Sequence, residues 1–464
     1  MSDLFTSLSS AARALEAQRF GLDVTGQNIA NVNTPGWSKR VAEFAAVPGV
    51  DNRNPGRGVD VIGVRAMRDK LIERRLLQEL PAERRQAAIA ESLHIVESAL
   101  GDPGSSIDGQ LTKLFDAFSQ LAESPTSAVA RQEVLLAGQS ISAGFRNMVD
   151  RFETSQRDAD NKVRAAVEDV TSLVDRIAAL NVSIGKSGNT GAALHLQDEQ
   201  QQLVRELSEL LDVDVLERAD GGVDISYGNG RSLVIGENTY HLNVVSLPPD
   251  GFAGITGLNN VDVTAEITSG RLGGLLQVRD VNIPDYLGRL DTLASELVNQ
   301  VNTLHTSGYD LNGTPGQAFF GFSTAPGPGG AGAAKYIQLD PALAGNASLI
   351  AAAGVAEAGD NTIARSLAAL REARVLDGNT ATLSDGWSRI VYRIGRDTQA
   401  AVDEQTSREE IVKQVDAMRD QVSGISLDEE AMWMLKFQRA YEANARFFSA
   451  VDRLLDTLLQ SLGR

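Results

Sequence analysis

Two apolar stripes, one at each end of the chain, constrain this sequence more than any other feature. Steps of three and four residues from the start pick out Leu4, Leu8, Ala11, Leu15, Gln18, Leu22, Thr25, Ile29 and Val32, the spacing of one helix face. Asn31, Asn33, Thr34, Pro35 and Gly36 then end the helix, because proline forces its predecessor into extended backbone and Pro-Gly favours a type II turn. At the other end, Ser426 and Glu429 have the spacing of a capping box, with Glu429 placed to reach back to the Ser426 amide. The stripe that follows runs Leu427, Ala431, Met434, Phe437, Tyr441, Asn444, Phe448, Val451, Leu455, Leu458 and Leu462. Chain ends are normally polar and frayed, so stripes reaching Leu4 and Leu462 are expected to bury against each other and against neighbouring subunits.

Between the ends, Ala, Leu, Glu, Gln and Arg dominate roughly 68–98, 106–123, 126–184 and 194–211, which predicts a helical rod or bundle. At Val213 the period changes to two, through Val215, Val223, Ile225, Tyr227, Leu233 and Ile235, with turns at Asp220-Gly221-Gly222 and Asn229-Gly230. Helical periodicity returns at 272–306, with an interruption expected at Pro284, and again from Ser384 to Val422. The Gly- and Pro-rich stretch from Gly313 to Gly332 reads as a loop or linker. The predicted fold class is therefore α+β, mainly α, with terminal helices in a coiled coil, a helical core and an inserted small β domain.

With 464 residues, the chain exceeds the roughly 250 to 300 at which a single core stops growing. A formal net charge of −18 argues against nucleic acid and anionic membranes, which are bound through clustered Lys and Arg. The absence of Cys removes disulfides, thiolate zinc sites and cysteine nucleophiles. Asp3 and the late first base, Arg13, give no Sec-type signal, and no apolar run approaches the roughly 20 residues of a membrane span.

Catalytic chemistry finds no foothold. His94, His195, His241 and His305 are scattered, with no ligand spacing around them. No nucleophile elbow or phosphate-binding loop occurs. Asp310-Leu311-Asn312-Gly313 opens like a calcium loop, but Gly321 stands where the bidentate Glu belongs, so a turn is expected. The pairs Glu409-Glu410 and Glu429-Glu430 read as solvated faces or caps. No catalytic, cofactor or metal residue is expected.

The run Gln27 to Trp37, with Ala30-Asn31, Thr34-Pro35-Gly36 and an aromatic after it, resembles the N-terminal signature of the flagellar rod, hook and hook-associated axial proteins. Trp37 departs from the usual Tyr. Three segments narrow the resemblance to the hook-associated members: Gly56 to Val61 followed by Arg68-Asp69 and Arg74; Gly270 to Phe320, with Arg279-Asp280, His305 and Tyr309-Asp310; and Ser423 to Glu430 with Gln438, Tyr441 and Asn444. Between Phe320 and Tyr336, where longer relatives insert an outermost β domain, only the Gly/Pro-rich bridge stands.

The resemblance implies a non-enzymatic subunit that polymerises at the distal end of the hook and forms the junction to the filament. It implies no cofactor. Residues 1–40 plus 425–464 would form the terminal polymerisation domain, 41–211 plus 270–424 the helical core, 212–269 the β domain and 313–335 the bridge. The interface would comprise Leu4, Leu8, Leu15, Leu22, Ile29, the turn Asn31 and Asn33 to Gly36, Met434, Phe437, Tyr441, Phe448, Val451, Leu455, Leu458 and Leu462. Partners would be the hook protein, the second junction protein (hook-associated protein 3), other copies of the chain, and an export chaperone on the C-terminal helix. After type III export from the cytoplasm, the subunit would reside in the flagellum. The alternatives are a hook or distal rod protein, which the 270–320 segment would separate, a cell-wall hydrolase with axial termini, and a coiled-coil adhesin or translocator.

Overall fold

The structure, a computed structural model, describes residues 2–48, 56–101, 106–188, 191–357 and 359–462. Helix α1 (Ser2–Ala30) leads through the Pro35-Gly36 turn into an antiparallel hairpin, β1 (Arg40–Ala46) and β2 (Val59–Ala66). Gly58, just ahead of β2, has φ +100 and lies so close to α1 that a Cβ there would sit 2.8 Å from Ser10 Oγ. Only glycine allows that approach. The hairpin packs on α1, with Arg13 reaching Asp60 at 3.3 Å.

The middle of the chain is built on α2 (Lys70–Ser98), α3 (Ile107–Glu123) and the 60-residue α4 (Ala128–Ser187). Asp69, Ser106 and Ser127 cap these helices by accepting first-turn N–H groups. At 1.5 Å per residue α4 is about 90 Å long, and it is the spine on which two cores form. The first core joins its N-terminal half to α3, to α7 (Ile283–Thr306) and to the start of a later helix through Phe118, Phe145, Phe152 and Leu290. The second joins its C-terminal half to α5 (Gly191–Leu210), α6 (Gly270–Gln277) and the β elements through Val163, Val170, Leu207 and Ile225.

Strands β3 (Val213–Glu217), β4 (Val223–Tyr227), β5 (Arg231–Ile235) and β6 (Asn238–Thr239) form one antiparallel sheet in that order, and β7 (Asn243–Leu247) pairs with β8 (Phe252–Thr256). Gly221 and Gly230 take positive φ at the two expected turns. The expected break at Pro284 is a π-helical turn at Val278–Asn282, with Pro284 in the first turn of α7. Proline has no N–H to donate, and the wider turn ahead of it absorbs the defect.

The Gly/Pro-rich bridge is tied down more firmly than its composition suggests. Strands β9 (Phe320–Phe322) and β10 (Ile337–Leu339) pair around the short helix α8 (Ala333–Tyr336). The Asp291 carboxylate on α7 accepts the N–H groups of Gly332 and Ala334 at 2.8 and 2.9 Å. Ala333, Ala334 and Phe319 are buried, so part of the expected linker belongs to the first core. After α9 (Thr362–Ala369), α10 (Leu383–Ser423) starts from a full capping box of Thr382 and Asp385 and returns along α2. The last helix is α11 (Leu427–Leu462). Among the described residues, neither core contains a side chain of α1 or α11.

Candidate polymerisation surface

The two terminal helices pack on each other. Asn28 meets Glu430 and Gly21 meets Phe437, so equal seven-residue steps in opposite directions make the pair antiparallel. A Cβ on Gly21 would lie 2.6 Å from Phe437 Cε1, which makes the missing side chain the socket for that ring. Phe437 also stacks on Trp433 at 5.7 Å and meets Phe44 of β1 edge-on at 6.4 Å.

The face of α1 that is fully buried consists of Ala11, Ala17, Gly21, Val24, Thr25 and Asn28. Of the stripe expected from the sequence, Leu4, Leu8, Leu15, Leu22 and Ile29 are only half-buried. Small residues let the helices approach, while the leucines flank the seam. On α11, Val451 and Leu455 are buried, and Met434, Phe437 and Phe448 are half-buried. Tyr441 and Leu458 are exposed, so they lie off this seam, and the side chain of Leu462 lies outside the described residues. A second set of apolar side chains on α11, including Met432 at 67% and Leu454 at 57% exposure, has no cover.

A polar lock closes the seam at the signature turn. Asn28 Nδ2 donates to the Arg40 carbonyl at 2.8 Å and to Glu430 Oε2 at 3.0 Å, and its Oδ1 accepts the Arg40 N–H at 3.0 Å. Lys39 Nζ lies 2.8 Å from Glu429 and 3.6 Å from Glu430, and the Lys39 N–H donates to the Ser423 carbonyl. The capping box at Ser426 is therefore only half formed. Ser426 Oγ accepts the Glu429 N–H at 3.5 Å, while the Glu429 carboxylate binds Lys39, whose ammonium holds it below the usual carboxylate range.

The lock continues inward. The Arg40 guanidinium lies 3.7 Å over the Trp37 ring and donates to Asp198 of α5 at 3.2 Å. Arg68 binds the other Asp198 oxygen and donates through Nε to Ser38 Oγ at 2.9 Å. Sequence reasoning missed Asn28, Lys39, Arg40 and Asp198. Asn28 alone carried a signal, as an amide on a helix face that proves to be buried; Asp198 looks like any solvated acid of α5.

The signature turn is satisfied internally. Asn31 Nδ2 donates to the Gln27 carbonyl at 2.9 Å, Thr34 Oγ1 donates to Asn31 Oδ1 at 3.2 Å, and Gly36 takes φ +79. Asn33, Thr34 and Pro35 are left exposed at its tip.

The groups with catalytic potential are occupied structurally. His305, fully buried, accepts the Ala351 N–H at Nε2 (2.9 Å) and meets the Gln317 carbonyl at Nδ1 (2.5 Å); burial pushes its pKa down to about 4. The Asp310 carboxylate accepts the N–H groups of Asn312 and Thr314, forming a turn. Glu409 and Glu410 share Lys413. Among the described residues no group of acids and histidines has the geometry to hold a metal, and no helix is long and apolar enough to cross a membrane.

A chain whose first and last helices pair outside its cores, joined at an Asn-x-x-Thr-Pro-Gly-type turn, has the build of a flagellar axial protein. Residues 8–37 match the family described as flagella basal body rod protein, and residues 419–461 match the flagellar basal body rod FlgEFG protein C-terminal family. Residues 93–320 match the flagellar hook-associated protein FlgK helical domain, which separates the chain from the hook and rod proteins. The flagellar hook-associated protein 1 of Bacillus subtilis is 26% identical over 100% of this chain and 99% of its own length. Its namesake in Escherichia coli is 24% identical over 97% and 99%. The flagellar hook junction protein FlgK from Burkholderia pseudomallei shares the fold, with a TM-score of 0.67 at 15% identity over 75% of this chain and 100% of that one. Over its full length the chain is similar to flagellar hook-associated protein 1.

Proposed function

We propose that this chain is a structural subunit that polymerises at the distal end of the bacterial hook and forms the junction to the filament. The observation that carries the reading is the seam between α1 and α11, which lies outside both cores and leaves Met432, Leu435, Phe447 and Leu454 exposed. Each such side chain gains roughly 1.5 to 3 kcal/mol on burial, and addition of further copies supplies the cover. The interface comprises the flanking leucines 4, 8, 15 and 22 with Ile29, the turn at Asn31 and Asn33 to Gly36, and the α11 stripe from Met434 to Leu462. Head-to-tail addition through two different patches grows a tube without closing on itself.

In this reading 1–40 and 425–464 form the polymerising layer, 41–211 with 270–424 the helical core, and 212–269 an outer β domain. The hook protein lies below and hook-associated protein 3 above. An exposed apolar helix is an aggregation hazard in a free chain, which supports a chaperone on α11 before export through the type III apparatus. The role is structural and not enzymatic: buried His305 and Asp310 already serve hydrogen bonds within the fold. Electron microscopy of a strain lacking the chain tests this: completed hooks without filaments are expected, and normal filaments would exclude it.

A further inference from the structure

The terminal pair and the hairpin form an arm that meets the rest of the chain at a narrow joint. Among the described residues, neither core contains a side chain of α1, β1, β2 or α11. The chain crosses between arm and core twice, at 67–69 and at 423–426, and Lys39 ties the crossings side by side. Its N–H donates to the Ser423 carbonyl at 2.9 Å, and its carbonyl accepts the Met67 N–H at 2.7 Å. Gly424, in the second crossing, lies too close to the Asp420 carbonyl to carry a Cβ, and glycine is the residue whose backbone turns most freely.

Beside these crossings the arm rests on one face of α5, where His195, Asp198 and Gln202 stand three and four residues apart. The Trp37 ring lies 6.3 Å from the His195 ring, and a Cβ on Gly36 would be 3.5 Å from the Gln202 side chain. Between them the Asp198 carboxylate, 4% exposed, takes Arg40 of the arm on one oxygen and Arg68 of the first crossing on the other. Among the described residues neither guanidinium pairs with any other acid. Parts of a chain joined without a large apolar interface move relative to each other by default, and the motion concentrates in a few residues at the ends of elements. We infer that the joint is a hinge and that Asp198 is the clamp that sets the angle of the arm. Its charge draws Arg40 and Arg68 to one point on α5; without that charge the two cations repel each other, and the arm leaves α5 with its own seam intact.

The hinge is a property of the single chain, so its test stands apart from the junction reading. The sequence has no Cys, so spin labels go onto the purified full-length protein without removing native thiols. Ala12→Cys on α1 with Ala179→Cys on α4 spans the joint, and Ala12→Cys with Ala431→Cys on α11 lies within the arm; all three sites are exposed. Pulsed electron spin resonance should give a narrow distance distribution for both pairs in the otherwise native chain. Asp198→Asn should broaden the distribution across the joint and leave the one within the arm unchanged. Arg40→Gln detaches the arm from the carboxylate while Arg68 still neutralises it, and should broaden the same distribution even if Asp198→Asn does not fold. A joint-spanning distribution that stays narrow in the variants, or is already broad in the native chain, would overturn the inference. So would broadening within the arm, which would mean that the seam itself depends on α5.

Discussion

Asn28 on the first helix and Glu430 on the last are 402 positions apart in the chain and 3.0 Å apart in space. The same amide satisfies both the N–H and the C=O of Arg40, so one side chain fixes α1, the hairpin and α11 to each other. Asn28→Leu leaves those groups buried and unpaired, at about 1 to 3 kcal/mol for each unsatisfied group. Amide exchange should speed up across α1 and α11 and stay unchanged in α3 and α4. Equal acceleration throughout would show that the seam and the cores unfold as one unit.

A second node joins the two cores. Arg279, 2% exposed, donates to Asp160 at 2.6 Å and to the Ala253 carbonyl at 2.8 Å, while Asp160 also accepts the Ala253 N–H and Arg164. Arg279→Gln leaves the Ala253 carbonyl without its donor and Asp160 with Arg164 as its one cation, at about 1 to 3 kcal/mol for each buried group left unsatisfied. Calorimetry of Arg279→Gln should resolve two transitions where one is expected for the wild type. A single transition, merely shifted, would mean that packing along α4 couples the cores by itself.

His305 makes the first core sensitive to acid. Its folded pKa of about 4 lies below the ordinary 6.5, so the unfolded chain takes up this proton first. The contribution is fully present above pH 6.5 and is lost as the pH falls to about 4, a change of about 3 kcal/mol. His305→Gln can keep both hydrogen bonds without titrating. Denaturant unfolding should therefore show wild type losing up to that amount relative to the variant between pH 7 and pH 4, and parallel profiles would refute the assignment.

The helices were legible because a period of 3.6 residues survives wherever one face is buried, and the first and last helices stood out by their stripes. Which part of each stripe meets its partner was not legible. Leu8 and Leu15 are more apolar than Ala17 or Gly21, yet the close approach of α11 selects the small residues, and hydropathy does not encode distance. The bridge read as linker because Gly and Pro dominate it, while its anchor, Asp291, lies about 40 residues upstream. Asp198 and the Arg279–Asp160 pair escaped for the same reason, since charges far apart in sequence show their pairing only in the folded chain.

The central claim is that the terminal helices serve assembly and not the monomer's cores. Leu455 is buried on α11 but belongs to neither core, and an aspartate there must be desolvated to pack. Leu455→Asp, like Leu15→Asp, should leave the thermal melt of the purified chain's cores nearly unchanged. The most direct measurement is electron microscopy of cells whose only copy carries Leu455→Asp. Complete hooks without filaments and flagellin in the medium are expected; full-length filaments on those hooks would mean that α11 is not needed for assembly.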